Sequence, residues 1–132
     1  MGYEANEKEI ARVIAMTGGE RYSFFLGKVS DWEEVWSVAD HEGKWRQMDD
    51  SAGNKLCPVW PAAAYVTICC TDEWKDLKPK CIPISSFKAK WIPGLMKDSV
   101  GLAVFPTPQC RGVVVDPIKL DDDLQVVSNG YE

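Results

Sequence analysis

The hydrophobic period of this chain changes at Glu34, and that change limits what it can fold into. Before it, apolar residues recur every three or four positions: Ile10, Val13 and Ile14 in one run, Tyr22, Phe25, Leu26 and Val29 in a second. Asn6, three residues ahead of Glu9, is placed to cap the first helix, with Gly18 and Gly19 ending it, and Ser30 with Asp31 breaks the second. After Glu34 come short runs of strand-forming residues at 35–39, 45–48 and 55–59. The turn at 41–44 and the cluster Asp50, Ser51, Ala52, Gly53 and Asn54 separate them. A helical hairpin followed by a three-stranded antiparallel meander is expected.

The remainder alternates in the same way. Pro61 suits the first turn of a helix reaching Cys70, because its missing N–H costs nothing there. A charged stretch over 71–79 leads to an edge strand at 81–84, where Pro83 cannot donate to a ladder. Ser85 or Ser86 is placed to cap a helix through Phe87, Trp91 and Leu95, which Pro93 should kink or shorten. Residues 100–105 and 112–115 read as a hairpin. Asp116 and Pro117 then open a last helix with Leu120, Leu124 and Val127 along one stripe. The fold class this implies is α+β: a mostly antiparallel sheet of short strands with helices packed on it.

At 132 residues, 45% hydrophobic and 27% charged, the chain reads as a single domain, 1–132, with one core. The opening ten residues are acidic, without the basic-then-apolar order of an export leader. Gly2 lacks the Ser or Thr that lipidation needs at position 6, and the C-terminus has no prenylation cysteine. The longest mainly apolar run, 59–70, is far short of the roughly 20 residues that span a bilayer. Cys57, Cys69, Cys70, Cys81 and Cys110 are odd in number and form no Cys-x-x-Cys pair, so reduced thiols are expected, not a disulfide framework or structural zinc. A cytoplasmic protein without membrane attachment is the expectation.

Landmarks along the chain resemble a known family. They are Arg21-Tyr22-Ser23-Phe24-Phe25-Leu26 with Asp31-Trp32-Glu33-Glu34-Val35-Trp36, then Pro58-Val59-Trp60-Pro61, Trp91-Ile92-Pro93-Gly94-Leu95, and Val104-Phe105-Pro106-Thr107-Pro108. In this order they resemble the bacterial domain-of-unknown-function family 2750 over about 20–124, the family-like domain reaching 127. The layout of elements is also similar to the N-terminal domain of the family named for the enhancer of serine sensitivity. The resemblance implies a small cytoplasmic bacterial protein and brings no catalytic or binding residues with it. The helix within 1–19 lies outside it.

Six tryptophans, at 32, 36, 45, 60, 74 and 91, are the feature most suggestive of recognition. A groove between the strand ending at Trp60 and the helix carrying Trp91 is the expected binding site. Trp74, surrounded by Thr71, Asp72, Glu73, Lys75 and Asp76, is its most exposed member, and Asp72 contributes charge. Trp36, Trp60 and Trp91 sit in apolar runs that suit a core.

Catalytic signatures are missing. His41 is the sole histidine and falls in a turn. No nucleophile elbow, zinc-binding helix, Walker loop or dinucleotide fingerprint occurs. Asp121, Asp122 and Asp123 project about 100° apart on a helix and cannot converge on one ion. The lysines at 75, 78, 80, 88, 90 and 97 are interleaved with acids, which argues against a nucleic-acid surface. With 15 basic against 20 acidic residues and a net charge of -5, the expectation is a non-enzymatic protein-interaction domain without cofactor, one form of which neutralises a basic partner. The alternative is a small-molecule sensor or enzyme with a cleft near Trp60 and Trp91, using Cys69, Cys70 or Asp72.

Overall fold

Side-chain caps fix the N-terminal helical hairpin. The computed structural model describes residues 5–50 and 52–129, so what the sequence says of Gly2, Ser51 and residues 130–132 falls outside the described residues. In α1 (Glu7–Ile14) the Asn6 Oδ1 accepts from the Glu9 N–H at 2.9 Å. Gly18 and Gly19 do not end this helix; they open α2 (Gly18–Trp32). The reason is a reciprocal cap: Thr17 Oγ1 accepts from the Glu20 N–H at 3.1 Å, while the Glu20 carboxylate accepts from the Thr17 N–H at 2.8 Å. Ser30 and Asp31 do not break α2 either. It runs on to a left-handed C-cap at Glu33, φ 58°, because Phe25, Leu26 and Val29 anchor it in the core and the two polar residues are only mildly unfavourable helix formers.

Arg21 is buried beneath the hairpin, where its guanidinium donates to the carbonyls of Ile14 and Met16. Those acceptors lie at the carbonyl end of α1, which lacks helical partners of its own. Val13 of α1 is fully buried in the common core.

The expected meander survives only in part, because non-local pairing takes over much of its first and last strands. β1 (Glu34–Ala39) pairs antiparallel along its whole length with β4 (Lys78–Pro83), Pro79 facing Val38 and Pro83 facing Glu34. β2 (Met48–Asp49), β3 (Lys55–Val59), β5 (Gly101–Val104) and β6 (Val113–Val115) form a second sheet in that order, with β3 and β5 parallel. The near-continuous burial of β3 and β5 is the pattern of strands covered on both faces. Of the strand expected at 45–48, only an isolated bridge from Trp45 to Ala39 and the two residues of β2 remain. One bridge joins the sheets: Trp36 and Trp60 exchange two backbone hydrogen bonds, of 2.9 and 2.8 Å.

α3 (Ala63–Thr67) begins after Pro61, not with it, and stops before Cys70. A 3₁₀ turn, Asp72–Trp74, leads towards β4. The next helix starts at Ile84 directly off β4, without a capping bond from Ser85 or Ser86. It consists of α4 (Ile84–Ser86), a π-helical turn (Phe87–Trp91) and α5 (Ile92–Lys97). The wide turn accommodates Pro93: the Ile92 N–H bonds Phe87 five residues back, easing the clash a proline ring makes with a preceding carbonyl. The β5–β6 hairpin forms as the sequence indicates. α6 (Pro117–Asn129) is capped by Asp116, whose carboxylate accepts from the Ile118 N–H at 2.8 Å. Leu120 and Leu124 are fully buried, and the Tyr22 hydroxyl donates to Asp123 at 2.5 Å, tying α6 to α2. The architecture is α+β. Among the described residues no helix is long and apolar enough to cross a membrane.

Gly112 closes the loop before β6 at φ 88°, and a Cβ there would stand 2.6 Å from the Val104 carbonyl oxygen. Gly112→Ala is therefore expected to cost about 2 kcal/mol or more, read as a lowered denaturant midpoint with an unchanged slope.

Candidate functional site

Trp60 is fully buried and organises the site from behind. Its Nε1–H donates to the Pro106 carbonyl at 2.8 Å, and the Cys69 thiol donates to the same oxygen at 3.4 Å. Phe105 precedes this proline at φ 61°, an unfavourable conformation for a bulky residue. Three attachments hold it there: a 2.8 Å bond from its N–H to Val59, and ring contacts to Tyr65 and Phe24 at 4.8 and 6.3 Å. The loop that follows is clamped on itself, Thr107 and Cys110 exchanging backbone bonds of 2.8 and 3.1 Å. Arg111 then reaches across to the Asp49 carbonyl at 2.7 Å.

The facing wall is the 3₁₀ turn. Asp72 sits at φ 53° at its start, and Trp74 stands half-buried at its end with its ring edge-on to Trp60, centroids 6.4 Å apart. Between the walls lies an open depression of about 570 Å³, lined among others by Cys69, Asp72, Glu73, Trp74, Thr107 and Arg111.

The structure thus joins Trp60, Trp74 and Asp72 but takes Trp91 elsewhere. Trp91 packs edge-on against Trp45 at 4.5 Å and near-parallel to Phe87 at 6.5 Å, beside a smaller depression of about 340 Å³. The Lys80 ammonium covers the Trp45 ring at 4.7 Å. Among the described residues the exposed tryptophan is Trp32, at 45%, while Trp74 leans on Trp60. Thr107, Cys110 and Arg111 escaped the sequence reading because their proline-rich loop carries only a turn signal.

The groups present do not assemble a reactive set. Burial, with Cys70 adding to it, pushes the Cys69 thiol up to about 11 against the partial opposition of Trp60, so it stays protonated near neutrality and is a poor nucleophile. His41 lies in an exposed turn and does not line the depression. Asp121 faces Lys88 at 3.5 Å, whereas Asp123 takes Tyr22 and Lys119; the hydrogen bond from Tyr22 is the main reason its pKa is lowered. Among the described residues no group of three His, Cys, Asp or Glu could hold a metal ion.

Fold and site together define a small α+β domain carrying an open aromatic depression, its strained walls braced from within. The chain belongs to the family described as protein of unknown function (DUF2750), whose model matches residues 22–124. α1 lies outside that match. No curated protein matches the chain. A solved structure, "Anabaena Tic22 (protein transport)", is similar at 13% identity with a TM-score of 0.42, over 71% of this chain and 49% of that one; the chain thus spans about half of that protein's length.

Two outcomes follow from the buried donors. Trp60→Phe removes one donor from Pro106 and should cost about 1–3 kcal/mol, with amide exchange accelerated more at Thr107 and Cys110 than in β5 and β6. Burial raises the Cys57, Cys69 and Cys81 thiols to about 12, 11 and 11, from 9.0. A raised thiol stabilises the fold fully below its unfolded value and ceases to as pH climbs through the folded one. Thermal midpoints are therefore expected to fall between pH 9 and 12, and Cys57→Ala should flatten part of that fall.

Proposed function

We propose that this protein is a non-enzymatic interaction domain that binds a partner protein through the Trp74 depression, the partner presenting a basic segment. The observation that carries the reading is the 3₁₀ turn itself, which places the half-buried Trp74 ring beside the exposed Asp72 and Glu73 at the mouth of an open depression. A lysine or arginine side chain entering there meets an aromatic face and two carboxylates, which reinforce each other. Arg111, the cation on the far wall, is already engaged by the Asp49 carbonyl.

The depression is open, whereas small-molecule sites bury about 70–90% of their ligand, so a partner surface suits it better than a metabolite. A net charge of -5 speeds encounter with a basic protein and makes the association rate salt-sensitive. Neutralisation of a basic partner is one form of this activity. The five free cysteines suit a reducing cytoplasm as its setting.

Amide NMR titration with extended lysine- and arginine-containing peptides tests the reading. The largest shifts are expected at 69–74 and 106–111, and the double substitution Asp72→Lys, Glu73→Lys should weaken binding at least about tenfold, or about 1.4 kcal/mol. Equal binding of acidic peptides, or an unaffected double variant, would remove the basis for the proposal.

A further inference from the structure

The fold sorts charges that the sequence mixes. Acids and lysines are interspersed over 71–98, yet Asp72 and Glu73 line the Trp74 depression while lysines of two other elements gather at Trp45 and Trp91. Ala39 pairs with Lys78 on one side and with Trp45 on the other, and Ser37, two residues back, pairs with Lys80. Trp45, Lys78 and Lys80 therefore share one face of the β1–β4 sheet. The Lys80 ammonium lies 4.7 Å from the Trp45 ring centre and donates to the Gly43 carbonyl at 3.4 Å. The π-helical turn brings Trp91 edge-on to Trp45 at 4.5 Å, next in sequence to Lys90.

Against these two rings lies the depression of about 340 Å³, lined by Trp45, Lys90, Trp91, Gly94, Leu95 and Asp98. Of the four ring faces, Lys80 covers one of Trp45, Phe87 lies near-parallel to one of Trp91, and the edge-on contact takes one more. One indole face is left without a ring or cation against it among the described residues. Lys78, Lys80 and Lys90 are exposed, and among the described residues none of them has a carboxylate partner, whereas Lys88 is held by Asp121. Asp98 is the one carboxylate among the described lining residues. In the neighbouring turn the Asp40 carboxylate is occupied by the N–H groups of Glu42 and Lys44, whose own side chains add one charge of each sign. Gly94 has nothing within 4 Å of where a Cβ would stand, so a side chain added there enters the depression without displacing a neighbour.

We propose that the Trp45–Trp91 depression is a binding site for single-stranded nucleic acid. A base stacks on the open indole face, and the adjoining phosphates meet Lys78, Lys80 and Lys90. The pairing of a flat aromatic surface with unpaired cations selects this ligand, because every base presents a π-face and every linkage a negative charge. A duplex keeps its bases inside the stack and offers phosphates alone. The open shape suits a chain that passes across the rings, not a small molecule that must be enclosed. The site is separate from the Trp74 depression and stands or falls without it.

The test uses the full chain and a labelled oligothymidylate of about ten nucleotides, followed by fluorescence anisotropy and by NMR of the indole N–H groups. The strand is expected to bind at low salt, to weaken as salt rises, and to shift the Trp45 and Trp91 indoles but not that of Trp60. The same strand annealed to oligoadenylate should bind at least about fivefold more weakly. Gly94→Leu installs a better helix former, so the thermal midpoint should hold or rise while affinity falls at least about fivefold. Lys80→Gln with Lys90→Gln should weaken binding and flatten its salt dependence, and Asp98→Asn should strengthen it. Asp72→Ala should leave it unchanged. Equal binding of the duplex or of inorganic polyphosphate, an unaltered affinity in Gly94→Leu, or shifts confined to Trp74 would overturn the proposal. So would tighter binding of an acidic tyrosine-containing peptide, which would assign the surface to a protein, or equal binding of thymidine monophosphate, which would make it a nucleotide site.

Discussion

The bridge between Trp36 and Trp60 holds the two halves of this protein in register. Its two backbone bonds, with the Ser37 hydroxyl donating to the Pro58 carbonyl at 2.6 Å beside them, tie the β1–β4 pair to the four-stranded sheet. Trp60 then serves the opposite side as well, because its indole N–H fixes the Pro106 carbonyl that the Cys69 thiol also reaches. A single side chain thereby couples sheet assembly to the shape of the 106–111 loop. Burying so large a ring with its one polar atom satisfied is among the most stabilising arrangements available to a domain of this size.

The candidate site inherits its rigidity from that arrangement. Phe105 and Asp72 both hold positive φ, one behind each wall of the depression, a conformation that persists only where the surroundings determine it fully. For Phe105 those surroundings are visible: an N–H bonded to Val59 and a ring held among Tyr65 and Phe24. The walls are therefore preformed, so a partner need not supply the cost of ordering them. Trp74 stands on a three-residue turn and leans on the buried Trp60 ring.

Features written in local sequence were legible, and those that depend on distant pairing were not. Asn6 and Asp116 cap their helices as their neighbours suggest, since the bonds span three and two residues. The β5–β6 hairpin follows from two valine-rich runs around one loop. Gly18 and Gly19 misled because a glycine pair reads as a stop, while Thr17 and Glu20 outweigh it with two bonds. β4 and β5, which pair with β1 and β3, lie about 40 residues or more further along the chain, and no local period records them. The sequence points to Trp60, Trp74 and Trp91 together, but which tryptophan meets which is a property of that pairing. Trp91 consequently faces Trp45 and not Trp60. Trp32 was counted with the other tryptophans but not picked out as exposed, because its place just before a left-handed C-cap is invisible to periodicity.

β4 has a further consequence for how the molecule behaves in a crowded solution. The bonds between Trp36 and Trp60, and from Arg46 to the Val38 carbonyl, point the even-numbered residues of β1 away from β4. By the antiparallel register, Pro79, Cys81 and Pro83 then turn their backbone nitrogens to the open side. Two of those three positions have no hydrogen to offer. An approaching strand from another molecule would find carbonyls to donate to but almost nothing to accept from, with the Lys78 and Lys80 ammonium groups repelling a like neighbour. The edge left free by the two-stranded sheet is thus a poor template for runaway stacking, and the protein can keep a sheet this small open-ended without becoming the seed of a fibre.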